Sequence, residues 1–375
     1  MKLTIQRSDL LRGLARIQAI VEKRNTMPIL ANVLITARKE KDSDGQLEFA
    51  ATDLEIGIRG SHPAVVEEPG TLTVSARKFY DITRELPEEP VHLVSKDAAS
   101  LDIRCGRARF SLAGNEASEY PDLPEIEPGK LVRLSAPVVS DMIERTMYAA
   151  SLDESRYNLN GVFFEVDSES NNIRMVATDG HRLALVERGG GENIEGLASG
   201  VIIPRKGLAE LKRLVDEDDA DEVMIGFEGN SALVRKGDVT LVMRLIEGEF
   251  PNYRQVIPKE IPISFNVPTD EVVRALRRVA LLSAERSRAI KVALSSGTLV
   301  VSATNPDLGE AQEELDIDYD GEDVEIGFNA RYLLDAMNGI GAKETRVGLG
   351  GPNAPAQLEP TEEGTSLAVV MPMRL

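Results

Sequence analysis

The sequence has no tryptophan, and aromatic residues make up only 4% of its 375 positions. Its cores must therefore be aliphatic, with few flat side chains left for stacking. A single cysteine, Cys105, excludes an intrachain disulfide framework and fits a reducing cytosol. No apolar run approaches the length of a membrane span, and residues 1–5 alternate like a strand. We therefore expect a cytoplasmic protein without a signal peptide or a membrane partner.

Signatures of catalysis are also missing. Of three histidines, His62 precedes a proline and His92 alternates with apolar neighbours, so both are interpreted as structural or surface residues. Asp179 and His181 flank a turn glycine without a nucleophile motif nearby. The glycine-rich loops at 189–191 and 348–351 lack the strand and helix that a phosphate cradle needs. We expect no catalytic residues and no cofactor.

Two acidic segments resemble metal sites only superficially. Residues 316–321 begin like an EF-hand loop, but Gly327 stands where a bidentate glutamate is required. The acidic run at 216–222 is interpreted as a solvated helix exit. The sequence therefore predicts no metal site of either type.

What the chain does contain is an internal repeat. Segments 47–53, 173–179 and 299–305 lie 126 residues apart without a gap and end in Thr-Asp, Thr-Asp and Thr-Asn. Their inward positions hold Leu47, Ile173 and Leu299, then Phe49, Met175 and Val301, then Ala51, Ala177 and Ala303. Alternation of this kind is typical of half-buried strands, and the Asp-Gly at 179–180 predicts a hairpin. We interpret the chain as one module written three times.

Each module is predicted to begin with a strand and a helix, followed by a strand pair, a second helix and closing strands. Helical windows fall at 8–24, 76–86, 140–151, 204–215, 270–288 and 329–338, with caps at Ser8, Ser140 and Thr269 and Pro204 as a first helical residue. Proline-rich linkers near 120–129 and 251–262 give modules 1–128, 129–256 and 257–375. The predicted fold class is α+β, two helices per module packed on antiparallel sheet.

The net charge of −19 argues against nucleic acid. The six helical windows nevertheless contain 18 Lys or Arg and 11 Asp or Glu, so they are net basic on an acidic body. Two interpretations stay open: these are solvated helix faces, or the helices share a face turned to phosphate.

The C-terminus ends in an unusual segment. Residues 367–370 are predicted to form a last strand, which Pro372 stops. Met371 and Met373 are left near the surface as the adaptable, polarisable side chains that promiscuous binding surfaces use.

Five motifs together resemble one family. They are Ala-Thr-Asp-Gly-His-Arg-Leu at 177–183, Phe-Pro-Asn-Tyr at 250–253, Ile-Pro-Arg-Lys-Gly at 203–207, Gly-Phe-Asn at 327–329 and Val-Met-Pro-Met-Arg-Leu at 370–375. In order and spacing they are similar, from end to end, to the bacterial DNA polymerase sliding clamp, the beta subunit of the polymerase III holoenzyme. The resemblance implies a DNA clamp fold whose six modules close into a ring as a head-to-tail homodimer. It also implies a nucleoid-associated, non-catalytic processivity factor that slides on duplex DNA through sequence-independent phosphate contacts.

The resemblance assigns residues to three surfaces. The positions that would face DNA are Arg24, Arg77, Arg205, Lys206, Lys259, Arg288 and Lys291. The positions that would form the dimer interface are Phe110, Leu281 and Leu282. The peptide-binding cleft would contain Leu159, Thr178, Gly180, His181, Arg182, Leu183, Pro251, Val256, Tyr332, Val369, Val370, Met371, Pro372 and Met373.

In the family, that cleft binds replicative and translesion polymerases, the clamp loader and mismatch-repair proteins through short, partly hydrophobic motifs. This chain departs from the pattern at Asn158 and Gln255, where familiar members carry tyrosine and arginine, and at Pro355. Its peptide preference is therefore expected to differ. The alternative functions are a three-repeat peptide-binding scaffold without a DNA function and, with less support from the motifs, an enzyme.

Overall fold

The computed structural model describes residues 1–21, 27–39, 45–97, 99–123, 131–167, 169–190, 194, 197, 200–217, 220–284, 287–362 and 365–374. Within these ranges the elements follow one order three times: strand, helix, three strands, strand, helix, three strands, with one extra strand in the first module. The predicted triplication and the α+β class are confirmed. None of the described helices is long and apolar enough to span a membrane.

The elements have the following bounds. The first module contains β1 (Lys2–Ile5), α1 (Arg7–Gln18), β2 (Asn32–Arg38), β3 (Gln46–Thr52), β4 (Ile56–Pro63), β5 (Val65–Glu68), β6 (Gly70–Ser75), α2 (Ala76–Glu85), β7 (Val91–Val94), β8 (Ser100–Cys105) and β9 (Ala108–Asn115). The second contains β10 (Val132–Ser135), α3 (Ala136–Thr146), β11 (Gly161–Asp167), β12 (Asn172–Thr178), β13 (Arg182–Gly189), β14 (Val201–Pro204), α4 (Arg205–Val215), β15 (Glu222–Glu228), β16 (Ser231–Lys236) and β17 (Val239–Arg244). The third contains β18 (Ile263–Pro268), α5 (Thr269–Val279), β19 (Ala289–Ser295), β20 (Thr298–Asn305), β21 (Gly309–Asp316), β22 (Val324–Asn329), α6 (Ala330–Ile340), β23 (Glu344–Leu349), β24 (Ala356–Pro360) and β25 (Thr365–Val370).

The repeated segments are equivalent strands. β3, β12 and β20 each bury the inward positions that the repeat predicted. Position by position, β3 and β12 have the same sequence of buried and half-buried residues after their first residue. Each is followed by its hairpin partner, β4, β13 or β21. All of these inward side chains are aliphatic or Met except Phe49 on β3, so one aromatic ring is buried in the first module and none at the equivalent positions of the other two.

All six predicted helices exist, but several of their ends were wrong. α3 begins at Ala136, four residues before its window, because Pro137 fits the first helical turn, where its missing N–H is not needed. Pro204 is the last residue of β14 rather than the first of α4, since its fixed φ also suits an extended residue.

The ends of α1 and α5 were also misplaced. α1 stops at Gln18 instead of 24, where the Ile20 N–H bonds the carbonyl of Ile17 and tightens the last turn. α5 stops at Val279 and continues as a 3₁₀ turn to Leu282. The residues before α1, α3 and α5 cap them without a side-chain hydrogen bond, so the predicted caps at Ser8, Ser140 and Thr269 were wrong.

The described chain packs into two compact units, residues 1–133 with 213–245 and residues 134–212 with 246–375. The first contains a sheet of thirteen strands in the order β10-β15-β16-β17-β4-β3-β2-β6-β9-β8-β7-β1-β5. The second contains one sheet in the order β14-β11-β12-β13-β25-β24-β23-β18 and another in the order β21-β20-β19-β22. Antiparallel pairs therefore join neighbouring modules inside each unit: β4 with β17, and β13 with β25.

Candidate functional site

The Thr-Asp-Gly-His-Arg motif forms the predicted turn between β12 and β13. The Thr178 hydroxyl donates to the carbonyl of Arg182 (2.7 Å) and accepts from the N–H of Gly180 (3.1 Å). Asp179 Oδ1 accepts from the N–H groups of His181 and Arg182. Gly180 takes a φ of +88°, which glycine adopts without a steric penalty. These contacts fix the turn and leave the His181 side chain exposed.

Arg182 is the buried centre of this site, with 8% of its surface exposed. Its guanidinium donates to Asp179 Oδ2 (3.1 Å), to Asp335 Oδ2 (2.5 Å) and to the carbonyl of Tyr148 (2.6 Å). It also lies over the ring of Tyr332, 4.6 Å from the centroid. Arg182 therefore ties α6 of the third module to the turn of the second, and its donors are engaged by the chain itself.

The exposed His181 and the half-buried Tyr332 form an aromatic wall. Their rings stack with centroids 5.9 Å apart and planes 15° apart. Tyr332 lies in the first turn of α6, where Asn329 Oδ1 accepts its N–H at 3.3 Å. The side chain of Asn329 thereby fixes the start of the helix that carries Tyr332.

The C-terminal segment crosses this site. The Met371 N–H donates to the carbonyl of His181 (2.9 Å), and the Met373 N–H donates to the carbonyl of Gly327 (2.7 Å). Met371 is exposed, whereas Pro372 and Met373 are half-buried. Val369 and Val370 are fully buried in β25, so only their backbone, paired with β13, borders the site.

A second, apolar group of predicted residues sits around residues 250–257. Leu159 and Leu183 are buried, whereas Pro251 and Val256 are exposed. The segment is anchored by a stack of Phe163 on Phe250, with centroids 4.9 Å apart, and by burial of the Tyr253 ring.

Sequence reasoning missed the polar anchor of that segment. The Tyr253 hydroxyl donates to Glu165, which also accepts from Arg174 (2.6 Å) and Arg254 (2.8 Å). Burial and the hydrogen bond to Glu165 raise the pKa of Tyr253 to about 12, so the hydroxyl stays a donor at neutral pH. The alternating strand pattern predicted only that Arg174 lies on the outer face, and it did not identify Glu165.

A cavity of about 270 Å³ opens beside His181 and Tyr332. Its lining includes Leu152, Arg156 and Arg331, which the sequence did not single out. One sequence signal could have drawn attention to Arg156, which directly follows a turn motif formed by Asp153 and Ser155. In this Asx turn Asp153 Oδ1 accepts the N–H and the hydroxyl of Ser155. Hydrogen bonding from Ser155 lowers the pKa of Asp153 and keeps its carboxylate charged.

The basic positions are dispersed along the chain. Arg77 is exposed at the start of α2, and Arg205 and Lys206 are exposed at the start of α4. Lys259 is exposed, Lys291 pairs with Glu325 at 3.0 Å, and Arg288 takes a φ of +48°. Arg24 lies outside the described residues. Their common orientation stays a prediction.

The candidate interface residues are exposed apolar side chains. Leu281 is 77% exposed, Phe110 on β9 is exposed, and Leu282 is half-buried. Phe110 belongs to one compact unit, and the two leucines belong to the other. Among the described residues, no group of three or more His, Cys, Asp or Glu is arranged to hold a metal ion.

Comparison with known proteins covers the whole chain. Family models for the N-terminal, central and C-terminal domains of the DNA polymerase III beta subunit match residues 1–124, 133–252 and 254–374. The chain is 37% identical over 380 residues to the beta sliding clamp of Caulobacter vibrioides NA1000 and 36% identical over 377 residues to that of Escherichia coli K12, with 100% of each protein covered. It also resembles the crystal structure of a sliding clamp from Bartonella birtlesii bound to griselimycin, with a TM-score of 0.94, 34% identity and 100% of both chains covered.

Proposed function

Because this chain belongs to the DNA polymerase III beta subunit family, we propose that it is a sliding clamp, a processivity factor for DNA replication. In this proposal a ring-shaped homodimer encircles duplex DNA and carries out no chemistry of its own. It tethers replicative and translesion polymerases, the clamp loader and mismatch-repair proteins through a peptide-binding cleft. The observation that carries the proposal is the consecutive match of all three family domains.

Closure by a second copy is supported by the strand pairing between modules. β4 pairs with β17 so that Gly57 faces Val242, and β13 pairs with β25 so that Leu183 faces Val369. The strand of the third module that is equivalent to β4 and β13 is β21, which is an edge strand. The strand of the first module that is equivalent to β17 and β25 is β9. Its described pairing with β6 covers only Gly114 and Asn115. The junction that joins neighbouring modules therefore leaves β9 of the first module and β21 of the third module without such a partner.

The repeat also predicts the register of that third junction. In the hairpins Gly57, Leu183 and Glu310 all face the repeated threonine, so they are equivalent. Val242 and Ser111 are each the fourth residue after a matching two-residue turn. We infer that Glu310 of one copy faces Ser111 of the next, which makes the contact head-to-tail, and we propose that it closes after two copies.

Charge favours the same pairing. β9 carries Arg109 next to the exposed Phe110, whereas β21 carries Glu310, Glu313 and Glu314. Opposite charges on facing strands stabilise a pair, and like charges would oppose pairing of β21 with its own copy. The exposed Leu281 and the half-buried Leu282 would add apolar area to this contact.

DNA encirclement is supported by the distribution of charge. The six described helices contain 15 Lys or Arg and 9 Asp or Glu, although the whole chain has a net charge of −19. A ring that slides needs weak contacts to phosphate, which exposed lysines and arginines such as Arg205 and Lys206 supply, and its acidic remainder repels DNA from other surfaces.

The deciding experiment is retention on DNA after loading by a cognate clamp loader. We expect the protein to stay on nicked circular plasmid and to leave once the plasmid is linearised, because only a topological link depends on ends. Equal retention on circular and linear DNA would contradict the proposal. A control without loader separates linkage from surface binding.

The alternative, a peptide-binding scaffold without a DNA function, makes a different prediction. Reversal of Arg205 and Lys206 to glutamate should abolish the stimulation of a polymerase on primed circular DNA while partner binding persists. A scaffold without a DNA function would keep its partners, and the reversal would change no polymerase activity on DNA. The matched control reverses Arg84 on α2, an exposed residue outside the proposed DNA-facing set.

A further inference from the structure

The 270 Å³ cavity beside His181 contains more cationic donors than the described residues satisfy. Arg156, Arg182 and Arg331 line it, together with the carboxylates of Asp153 and Asp179. Its wall also includes the exposed Leu152 and the stacked His181 and Tyr332. The cavity thus combines an apolar surface with several guanidinium groups.

The acidic groups nearby are largely committed to Arg182. Asp179 Oδ1 accepts from two backbone N–H groups, and its Oδ2 accepts from the Arg182 guanidinium. Asp335 accepts from the same guanidinium at 2.5 Å. The charge of Arg182 is therefore balanced inside the fold, and it offers little to a ligand.

Arg331 and Arg156 are compensated far less. Arg331 Nε lies 3.8 Å from the already engaged Asp335, and 54% of the Arg331 side chain is exposed. Arg156 Nε lies 3.8 Å from Asp153, and one of its terminal nitrogens donates to the carbonyl of Asp179 at 3.0 Å. Each guanidinium has five N–H donors in a planar fork that matches a carboxylate, so most of these donors face the cavity or solvent.

The Arg331 side chain is not needed for its helix to start. Its backbone N–H donates to Asn329 Oδ1 at 3.0 Å, and this contact survives any substitution except proline. A long cation in the first helical turn is also unfavourable for the helix dipole. The position is thus explained poorly by helix stability.

We propose that Arg331, aided by Arg156, forms a carboxylate-binding subsite at the edge of the cleft and selects partner peptides with an acidic residue beside their apolar residues. The inference rests on the proposed peptide-binding function and adds to it the charge of the ligand. Leu152 and the His181–Tyr332 pair contact the apolar neighbours, while the Arg331 guanidinium donates two N–H groups to the carboxylate. The carboxylate can come from an aspartate or glutamate side chain or from a peptide C-terminus.

The test starts from random heptapeptides displayed on phage and panned on the full-length protein. Clones are kept when they bind the wild type and fail to bind a variant truncated before Met371, so that they report on the cleft. We expect an acidic residue at one fixed position among these clones. The strongest peptide is then synthesised with that residue as the acid or its amide, each with a free or an amidated C-terminus.

Fluorescence anisotropy then measures the dissociation constants of these peptides. Arg331→Gln should weaken the acidic peptide about three- to tenfold, the range for a partly exposed charged hydrogen bond, and leave the amide peptide unchanged. Arg331→Glu should reverse the preference toward a peptide with lysine at that position, an exchange that a structural role would not produce. Arg274→Gln, an exposed arginine on α5 outside the cavity, is the matched control.

The outcomes separate the two proposals. A loss that follows amidation of the C-terminus supports the subsite with a chain terminus as its ligand. Cleft-dependent clones without an acidic position, or equal losses for acid and amide peptides, overturn the subsite and leave the clamp function intact. A failure to find any cleft-dependent clone overturns the peptide-binding cleft and the subsite with it.

Discussion

Leu54 and Gly180 occupy the same position in two copies of the repeat, one residue after the Thr-Asp pair that ends β3 and β12. Both have a positive φ, +78° for Leu54 and +88° for Gly180. The surrounding turns match as well, since Asp53 Oδ1 accepts from the N–H groups of Glu55 and Ile56 as Asp179 does in the second module. The hydrogen bonds of the turn therefore impose the left-handed conformation, and the first module satisfies it with a residue that resists it.

We expect Leu54→Gly to stabilise the protein. The leucine side chain is 54% exposed, so little packing is lost, and relief of the positive φ outweighs the added freedom of the unfolded chain by about 0.5–1 kcal/mol. Urea unfolding should show a higher midpoint. The control is Leu152→Gly, an exposed leucine without a positive φ, which should lower the midpoint, and an equal drop in both variants would contradict the argument.

The sequence predicted the strands of this turn because alternation and the 126-residue repeat carry their own register. The turn of the third copy was less predictable from the sequence. There Pro306 cannot take a positive φ, and the hairpin is one residue longer, so that Thr304 pairs with Glu310. Helix ends were missed where proline acts through its missing N–H, as at Pro137. Such choices depend on the tertiary position of the chain, which a single sequence does not encode locally.

The resemblance proposed which residues belong to the site, and that membership stays a prediction. What each side chain does there was not predictable: Arg182 is buried by Asp335 and Tyr148 from distant elements, and Val369 faces the core. Arg331 was overlooked because a lone arginine on a helix carries no pattern. Partners far apart in sequence decide these roles.

Lys236 and Cys105 are also equivalent, each the last residue before a two-residue hairpin turn. The Lys236 ammonium donates to the carbonyls of Leu214 (3.1 Å), Val215 (3.2 Å) and Glu217, at the C-terminus of α4. In the first module, the Cys105 thiol contacts carbonyls just beyond α2. In both modules the side chain at this position therefore contacts carbonyl groups at or just beyond the C-terminus of the second helix.

Lys236→Met should therefore destabilise the protein by about 2–3 kcal/mol, because it keeps the apolar stem and leaves buried carbonyls without a donor. The melting temperature should fall accordingly. Arg235→Met, at the exposed neighbouring position, should leave it nearly unchanged. Equal effects would show that the carbonyl contacts contribute nothing.

His62 makes the first compact unit sensitive to acid. Burial, followed by the charge of Arg16, lowers the pKa of His62 from 6.5 to about 4, and its Nε2 has no hydrogen-bond partner in the described part of the chain. The unfolded chain binds the proton first as the pH falls. This contribution to stability is therefore complete above pH 6.5 and is lost as the pH falls toward 4, up to about 3 kcal/mol.

His62→Phe should flatten the decline in unfolding free energy between pH 6.5 and 4, since phenylalanine does not titrate and the site already contacts the ring of Phe49. Denaturant titrations at pH 7, 6, 5 and 4 measure the slope. His92→Phe is the control at an exposed position and should keep the wild-type slope. An unchanged slope in His62→Phe would assign the acid sensitivity to other groups.

Removal of residues 371–375 should abolish peptide binding and leave the homodimer intact. The deleted segment supplies Met371 and the N–H contacts to His181 and Gly327, whereas the proposed interface lies on β9 and β21. Anisotropy with peptides selected for binding to the wild type alone, before any comparison with the truncated variant, and sedimentation measure the two properties. Dissociation of the dimer would show that the C-terminus belongs to the interface.

The ring junction makes the most specific prediction. With Glu310 facing Ser111 of the next copy, Arg109 lies diagonally opposite Glu310, within reach of long side chains on paired strands. Arg109→Glu or Glu310→Arg alone places like charges together at both junctions and should shift the protein toward monomer in sedimentation equilibrium. The double variant restores opposite charges and should restore the dimer, a rescue that requires the two residues to meet across copies. Reversal of Arg235, an exposed residue on β16 outside the predicted junction, should not change the assembly. If the double variant stays as monomeric as the single ones, the register is wrong, even if a ring forms by another pairing.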